Sequence, residues 1–304
     1  MEITQLVSLP RALARERSRR GVFGLLAGSG LSRLVPDEAE SRKKHKKRKK
    51  PTCGKNGEKP IKGKCCATTI TVGGTCRTCD VCASGCAFAT LQPAVDAASA
   101  GATLAVCPGT YAGGLTIAKN LQLIGDSNEG SDTIVQGAAD IPAVKTISGT
   151  ITLQNLRLTG SGGDGAGLYI EAGTVSLIGC TINGNGDAGS AYGAIYNNGS
   201  LQLTNTTVRD NTAVAGGGVY NAGPLRLTNS VINGNAGVYG GGIYHLGGSV
   251  IFDSASRVTG NSAINNGGGI YTIAASVTLA SSANVSGNTP NNCAGTPAIA
   301  LCSG

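Results

Sequence analysis

A short unit recurs through the second half of the chain and constrains the fold more than any other feature. Each unit opens with a glycine-rich tag that ends in an apolar residue and a tyrosine, and successive tyrosines stand 24 or 27 residues apart. The tags are Gly193-Ala194-Ile195-Tyr196, Gly217-Gly218-Val219-Tyr220, Gly241-Gly242-Ile243-Tyr244 and Gly268-Gly269-Ile270-Tyr271, with Gly167-Leu168-Tyr169-Ile170 as a looser fifth. Self-similarity at such a period is typical of solenoids.

The remainder of each unit alternates like a set of short strands. Apolar residues recur at every second position after the tag, as in Leu201-x-Leu203, and each unit closes with an apolar residue followed three positions later by asparagine. The closing asparagines are Asn185, Asn211, Asn235, Asn261 and Asn288. Period-two alternation predicts strands. A unit of this length is then one coil of a β-solenoid, and coils stack about 4.8 Å apart.

Stacking places equivalent residues of successive coils in columns. We expect Ile195, Val219, Ile243 and Ile270 to fill one interior column. The closing asparagines should lie at turns, where stacked side-chain amides can hydrogen-bond from coil to coil. The residue after each interior apolar residue must then point outward, which predicts an exposed column of tyrosines. That column consists of Tyr169, Tyr196, Tyr220, Tyr244 and Tyr271.

These units resemble the right-handed parallel β-helix family that includes pectate lyases. The Gly-Gly-apolar and apolar-x-x-Asn elements are similar to the repeats of polymorphic outer-membrane proteins, although those repeats usually carry Phe where this chain has Val or Ile. The resemblance covers residues 87–290 for the fold and 167–288 for the repeat type. It implies an all-β chain whose residues 87–304 form a single-stranded right-handed parallel β-helix with a C-terminal cysteine cap.

The segment before the repeats predicts how the solenoid begins. Phe88, Leu91, Val95 and Ala98 fall on one face of a helix over residues 88–99. The runs that follow it, over 103–111 and 115–124, have the pattern of first strands. A solenoid must cover its end strand or aggregate edge to edge, and an amphipathic helix can supply that cover. We therefore expect a short N-terminal capping helix.

The N-terminal residues predict an export signal and a linker. Arg19 and Arg20 precede a short apolar run over residues 21–34, so residues 1–41 resemble a twin-arginine export signal. Residues 42–64 are a basic segment that we expect to stay disordered. It serves either as a spacer or as a tether to an anionic membrane or wall. We predict an exported protein, secreted or held in the cell envelope.

The distribution of charge along the chain argues against nucleic acid as a partner. Residues 1–64 hold 18 Lys/Arg and 6 Asp/Glu, a net charge of +12, whereas the remaining residues hold 7 and 11, a net charge of −4. The body therefore lacks the cations that a nucleic-acid groove requires.

The chain has eleven cysteines, eight of them from Cys53 to Cys107. This crowding indicates either disulfides or a metal site.

The cysteine segment, residues 65–86, includes a run with ferredoxin-like spacing. Cysteines at 76, 79, 82 and 86 match an iron–sulfur run, but no proline follows and no second run exists. We favour disulfides and expect no cofactor and no metal. The pairs we predict are Cys86–Cys107 and Cys293–Cys302, and Cys180 is the expected free thiol.

The sequence offers no clear catalytic site. Single aspartates at 164, 187, 210 and 253 do not share one repeat position, and the arginines at 157, 209, 226 and 257 do not align either. His245 lacks a neighbouring His, Cys or paired acid, so we interpret it as a turn residue. The fold alone does not imply catalytic activity. We expect a non-catalytic protein.

The tyrosine column is the recurring surface feature. It has two interpretations: a binding face that stacks against sugar rings, or a set of cross-strand neighbours that only stabilises the sheet. The first predicts a monomeric adhesive protein whose partner is an extracellular polysaccharide or cell-surface polymer. The alternatives are a polysaccharide lyase or glycoside hydrolase of the pectin-lyase-like fold with an unrecognised site, and a redox module built on the cysteine segment.

Overall fold

The computed structural model describes residues 55, 59, 68–72, 74–126, 132–273 and 276–302. The predicted export signal over 1–41 lies outside the described residues, as do almost all of the basic segment over 42–64 and Cys53, Cys65 and Cys66.

The body is a parallel β-solenoid of three eight-stranded sheets, which confirms the predicted fold class. Each coil adds one strand to sheet A, then B, then C, so strands next to each other in a sheet are one coil apart in sequence. Sheet A comprises Ala102–Ala105, Leu121–Ile124, Thr150–Gln154, Thr174–Ile178, Ser200–Thr204, Leu225–Thr228, Ser249–Phe252 and Ser276–Thr278. Sheet B comprises Gly109–Ala112, Thr133–Gln136, Arg157–Thr159, Thr181–Asn183, Thr207–Arg209, Val231–Asn233, Arg257–Thr259 and Val285–Ser286. Sheet C comprises Leu115–Ile117, Val144–Thr146, Leu168–Ile170, Ile195–Asn197, Val219–Asn221, Ile243–His245, Ile270–Ile273 and Cys293–Thr296.

Six smaller elements lie outside the three sheets in the described part of the chain. The segments Thr69–Val72 and Thr75–Thr78 form an antiparallel pair before the solenoid. The segments Ala236–Tyr239 and Ser262–Asn266 form a parallel pair in the loops that lead from sheet B to sheet C. One α-helix spans Leu91–Ala97 and one 3-10 turn spans Ser282–Asn284.

The interior is built from columns of aliphatic side chains. Ile195, Val219, Ile243 and Ile270 are in register on consecutive strands of sheet C, and all four are fully buried. Sheets A and B contribute equivalent Leu, Ile and Val columns. The predicted interior column is therefore confirmed. Burying an aliphatic side chain of this size contributes about 1.5–3 kcal/mol relative to its exposed state.

The tag requires glycine because the backbones of successive coils approach each other closely there. A Cβ on Gly242 would stand 2.6 Å from the carbonyl oxygen of Gly269 and 2.7 Å from Cγ1 of Val258. Two residues earlier, Gly240 has a φ of +59°, a left-handed conformation that side chains disfavour. The tag thus lets the chain turn sharply and pass close to the next coil.

The N-terminal helix covers the first coil, as the sequence predicts, but it is shorter than residues 88–99. Leu91, Ala94 and Val95 are buried against the core. The side chain of Gln92 accepts a hydrogen bond from the Thr116 amide at 2.8 Å and donates one to the Thr116 carbonyl at 3.2 Å, which ties the helix to the first strand of sheet C. The helix begins only at Leu91 because Phe88 is engaged in a β-bridge with Val81.

The predicted Cys86–Cys107 disulfide is wrong. The structure joins Cys79 to Cys107 and Cys82 to Cys86. Val81 bridges Val106 in parallel, which carries the residues near Cys79 alongside those near Cys107 and leaves the 82–86 turn to close on itself. All four cysteines of the ferredoxin-like run are disulfide-bonded.

At the other end, Cys293 and Cys302 are joined, the pair proposed from the sequence. Ile299 and Cys302 pack against the core next to the last strand of sheet C. The C-terminal segment therefore covers part of the final coil.

Candidate functional site

The outer face of sheet C carries a continuous stack of tyrosine rings. Tyr169, Tyr196, Tyr220, Tyr244 and Tyr271 are paired in register on consecutive strands, and each is partly exposed. Successive ring centroids lie 4.5, 5.4, 5.4 and 5.6 Å apart, with interplanar angles from 11° to 24°. We call these five residues the tyrosine ladder. Its register is the one that the alternation predicts.

Two further tyrosines from the loops between sheets B and C join the ladder. The Tyr192 ring lies 4.5 Å from that of Tyr196 and 5.1 Å from that of Tyr220. The Tyr239 ring lies 5.2 Å from that of Tyr271. Neither residue is predicted by the repeat, because both stand outside the repeated tag. Their only signal is that each falls in the loop that precedes a tag.

Stacking leaves the tyrosines little free ring face. Each inner ring of the ladder has a neighbour above and below, so its edges and hydroxyl are the parts that it can present to a ligand. At the lower end, Nζ of Lys145 lies 5.4 Å from the centroid of the Tyr169 ring, within cation–π range. The same ammonium group donates to Glu171 at 2.8 Å.

Partial burial favours the protonated phenol in several of these tyrosines. Partial burial raises the pKa of Tyr169, Tyr220 and Tyr244, and burial also raises the pKa of Tyr192. A neutral phenol both donates and accepts hydrogen bonds. Tyr169, Tyr192, Tyr220 and Tyr244 therefore present uncharged hydroxyls on this surface.

The closing asparagines form a buried hydrogen-bonded column, as predicted. The Nδ2 atom of each donates to Oδ1 of the next, at 3.0, 2.8, 2.9 and 3.0 Å from Asn185 to Asn288. The backbone amides of Asn185, Asn211, Asn235 and Asn261 donate to the same oxygens. We call these five residues the asparagine ladder. It fixes the corner between sheets B and C, from which Tyr192 and Tyr239 project.

His245 is not a turn residue, in contrast to the sequence interpretation. It is the last residue of a sheet C strand and is fully buried, because its position has the same inward parity as Ile243. Its Nδ1 lies 3.0 Å from Nδ2 of Asn221 and its Nε2 lies 3.3 Å from the Ser276 carbonyl oxygen. Desolvation lowers the pKa of the imidazole. A neutral ring that accepts from Asn221 and donates to Ser276 satisfies both contacts.

Cys180 is free and buried, as the sequence suggests, and it occupies a polar column. Its amide donates to Oγ1 of Thr206 one coil above, and the Thr206 amide donates to Oγ of Ser230. The Cys180 thiol points to the carbonyl oxygen of Leu153 at 3.3 Å. Burial raises the pKa of this thiol to about 11, which suppresses its reactivity.

The aspartates are occupied by local hydrogen bonds. Asp187 accepts from the amides of Gly163 and Gly189, and Asp164 accepts from the amide of Ala191. Asp210 forms an ion pair with the adjacent Arg209.

Asp253 caps a turn by accepting from Ser256. The arginines at 157, 209, 226 and 257 lie on outward faces of sheets A and B, away from the tyrosine column of sheet C. In the part of the chain that the structure describes, no three His, Cys, Asp or Glu side chains come together as a metal site would require.

Comparison with family models, curated proteins and solved structures finds no match. The resemblance to pectin-lyase-like proteins and to polymorphic outer-membrane repeats therefore stays a prediction, beyond the parallel solenoid itself. Among the described residues, no helix has the length and apolar character needed to cross a membrane.

Proposed function

We propose that this protein is exported and binds an extended, neutral extracellular polysaccharide through the tyrosine ladder, without catalysing a reaction. The observation that carries the proposal is the concentration of aromatic surface on one face. Seven of the eight tyrosines of the chain, the ladder with Tyr192 and Tyr239, are in ring contact along sheet C. Among the described residues, the remaining aromatic side chains are Tyr111 and Phe252, which are buried, and Phe88, which packs against the core.

The geometry of the ladder suggests how a polysaccharide would lie on it. Sugar rings stacked on the tyrosine faces fit only the ends of the ladder, because the inner faces are covered by neighbouring rings. Hydroxyls and ring edges remain, repeated once per coil at about 4.8 Å. A polymer that runs parallel to the solenoid axis would meet the same groups at every coil. Polysaccharides carry the matching hydroxyls in regular succession.

Repetition compensates for weak individual contacts. One phenol hydroxyl contributes about 0.5–1.5 kcal/mol as a hydrogen-bonding partner in water, which is too little for retention. Several linked contacts on one polymer can raise the apparent affinity by about 10²–10⁴. The ladder, with five equivalent positions, suits this mode of binding.

Charge favours a neutral polymer over a polyanion. In register with the ladder, Lys145 lies below Tyr169 and Ala294 lies above Tyr271. Lys145 is paired with Glu171. The column thus carries no unpaired cation with which to recruit an acidic polysaccharide.

The disulfides support an extracellular location, since structural disulfides persist in oxidising compartments. The twin-arginine leader is the proposed route. Replacing Arg19 and Arg20 together with lysine should leave the precursor in the cytoplasm. Unchanged secretion of that variant, followed by immunoblotting of cell fractions, would contradict this route.

Retention in gels that contain neutral polysaccharides, chosen from a glycan-array screen, tests the binding proposal. The variant Tyr196→Ser with Tyr220→Ser should lose retention, because it interrupts the ladder in two adjacent coils. Its matched control is Gln202→Ser with Arg226→Ser, an exposed in-register pair on sheet A of the same two coils. The control should migrate like the parent protein in the presence of polysaccharide.

A second pair of substitutions separates hydroxyls from stacking. Tyr196→Phe with Tyr220→Phe keeps the rings but removes two hydroxyls, and should weaken retention partially. Full retention by the serine variant, or no retention of the parent by any glycan, would refute the proposal. Release of soluble sugars from a bound polymer would instead support the lyase or hydrolase alternative.

A further inference from the structure

The tyrosine contacts are of two geometric kinds. Within the ladder, rings are nearly parallel because neighbouring strands hold them face to face. The contacts made by the two loop tyrosines are inclined. Tyr192 meets Tyr220 at 74° with the centroids 5.1 Å apart, so that the edge of one ring points at the face of the other. One contact of each loop tyrosine has an intermediate tilt. Tyr192 meets Tyr196 at 52° with the centroids 4.5 Å apart, and Tyr239 meets Tyr271 at 51° with the centroids 5.2 Å apart.

We propose that Tyr192–Tyr196 and Tyr239–Tyr271 are sites of oxidative tyrosine cross-linking within one molecule. A dityrosine bond joins the carbons next to the two phenol oxygens, so the rings must meet through their edges with tilted planes. The Tyr192–Tyr196 and Tyr239–Tyr271 contacts have planes inclined by 52° and 51° and centroids 4.5 and 5.2 Å apart, which allows the ring edges to meet. Parallel stacked rings do not suit it, since they meet face to face and not through their edges.

The oxidant required is hydrogen peroxide used by a haem peroxidase. Each phenol loses one electron and its hydroxyl proton, and one peroxide molecule takes both electrons and both protons to become two waters. The two tyrosyl radicals then couple through a new carbon–carbon bond. The hydrogens displaced from those carbons move to the oxygens, which restores both phenols.

The tyrosines of both proposed pairs can be oxidised directly. All seven rings are partly exposed and therefore accessible to an oxidant. Tyr111 is the contrasting case: it is buried, and its hydroxyl donates to the Cys107 carbonyl at 2.9 Å, away from the ladder.

The Tyr239–Tyr271 cross-link can be mapped directly. Cleavage after Arg226 and Arg257 separates the two residues into peptides 227–257 and 258–304, with no other Lys or Arg in either. Dilute purified full-length protein would be treated with peroxidase and peroxide, then digested and analysed by mass spectrometry. We expect these two peptides to be joined with the loss of two hydrogens, together with dityrosine fluorescence.

Two single substitutions test the geometry. Tyr239→Phe should abolish the joined peptides, because phenylalanine keeps the ring but does not form a phenoxyl radical. Tyr244→Phe is the matched control: Tyr244 lies on the same peptide and also contacts Tyr271, at 5.6 Å, but with parallel rings. It should leave the yield within about twofold of the parent.

The Tyr192–Tyr196 cross-link lies within a single peptide and should appear as a loss of two hydrogens that Tyr192→Phe removes. Equal loss of the joined peptides in Tyr239→Phe and Tyr244→Phe would overturn the proposal. Cross-links found only between molecules, or an absence of dityrosine fluorescence in the parent, would do the same.

Discussion

Replacing Asn235 with aspartate should reveal how much the asparagine ladder contributes to the fold. The Nδ2 atom of Asn235 donates to Oδ1 of Asn261 at 2.9 Å and to the carbonyls of Val208 and Asn233 at 3.1 and 3.2 Å. Its Oδ1 accepts from the amide and Nδ2 of Asn211 at 3.1 and 2.8 Å. Aspartate keeps the two accepted bonds but places an anionic oxygen against three acceptors.

The loss can be worked from these contacts. A buried aspartate in this position is forced to take up a proton, and doing so at pH 7 from an ordinary pKa of about 3.9 costs about 4 kcal/mol. The protonated acid has one hydrogen to donate where the amide group has two, which the Asn261 oxygen and the Val208 and Asn233 carbonyls share. The buried acceptors left without a donor add about 1–2 kcal/mol. We expect Asn235→Asp to lower the free energy of unfolding by about 5 kcal/mol at pH 7.

Urea unfolding followed by circular dichroism, at pH 7 and pH 4, measures this effect. Because the pKa of the new carboxyl group is raised in the folded state, the deficit should shrink as pH falls through that pKa towards the unfolded value. The control is Asn205→Asp, at an exposed turn where Oδ1 accepts from Nδ2 of Asn229 at 2.7 Å. A carboxylate serves there equally well, so the change should stay within about 0.5 kcal/mol. Equal losses of unfolding free energy at both positions, or a loss at Asn235 that does not change with pH, would refute the reasoning.

Three further predictions concern the interior columns. Ile243→Asp buries an unpaired charge and should cost several kcal/mol in urea unfolding, whereas Tyr244→Ser, one residue on and partly exposed, should cost much less; similar losses would contradict the inward and outward assignment. Burial lowers the pKa of His245, so stability should fall as pH drops below about 6.5, and His245→Asn should flatten that dependence in thermal unfolding between pH 7 and 5; an unchanged slope would exclude His245 as its source. Cys180 should react with a thiol reagent only upon unfolding, and Cys180→Ser should fold normally because Thr206 holds a hydroxyl at the same position one coil above; rapid labelling of the native protein would contradict its burial.

The sequence alone was sufficient to predict the repeating coil, the interior column that contains Ile243 and the outward orientation of Tyr244. Alternation specifies which face a residue occupies, and a one-residue slip would place every apolar side chain in solvent. The asparagine ladder was predictable for the same reason, since its members recur at one position of the unit. These features are periodic, so stacking dictates them.

The loop tyrosines and the cysteine pairing were beyond such reasoning. Tyr192 and Tyr239 lie in segments of unequal length between sheets B and C, where no period sets the direction of a side chain. Cys79 reaches Cys107 through a β-bridge that involves Val81, which lies before the first coil. Non-periodic contacts of this kind depend on tertiary packing, not on local pattern.

The strand position of His245 was misassigned because polar residues also fill an inward column. In sheet C, Asn197, Asn221 and His245 are in register, and all are fully buried. Nδ2 of Asn197 donates to Oδ1 of Asn221 at 2.7 Å, and Asn221 in turn contacts His245. An alternation rule that assigns polar residues to the outside therefore fails at the end of these strands.

This inward polar column is interrupted at Ile170. Ile170 is in register with Asn197 above and Thr146 below. Oδ1 of Asn197 and Oγ1 of Thr146 are both buried, and neither has a hydrogen-bond partner among the described protein atoms. The column thus has an unsatisfied acceptor on one side of Ile170 and an unsatisfied hydroxyl on the other.

Ile170→Asn should extend the column, and its new hydrogen bonds should offset part of the free energy lost with the buried isoleucine. Its amide could donate to Asn197 and accept from Thr146, and each buried group that gains a partner returns about 1–3 kcal/mol. Ile195→Asn is the matched control on the same sheet, since its register neighbours Leu168 and Val219 are apolar and leave the new amide unpaired. Both variants lose a buried isoleucine, so we expect Ile170→Asn to be more stable than Ile195→Asn by about 2 kcal/mol or more in urea unfolding. Equal stabilities would mean that the interrupted column carries no unmet hydrogen-bonding capacity.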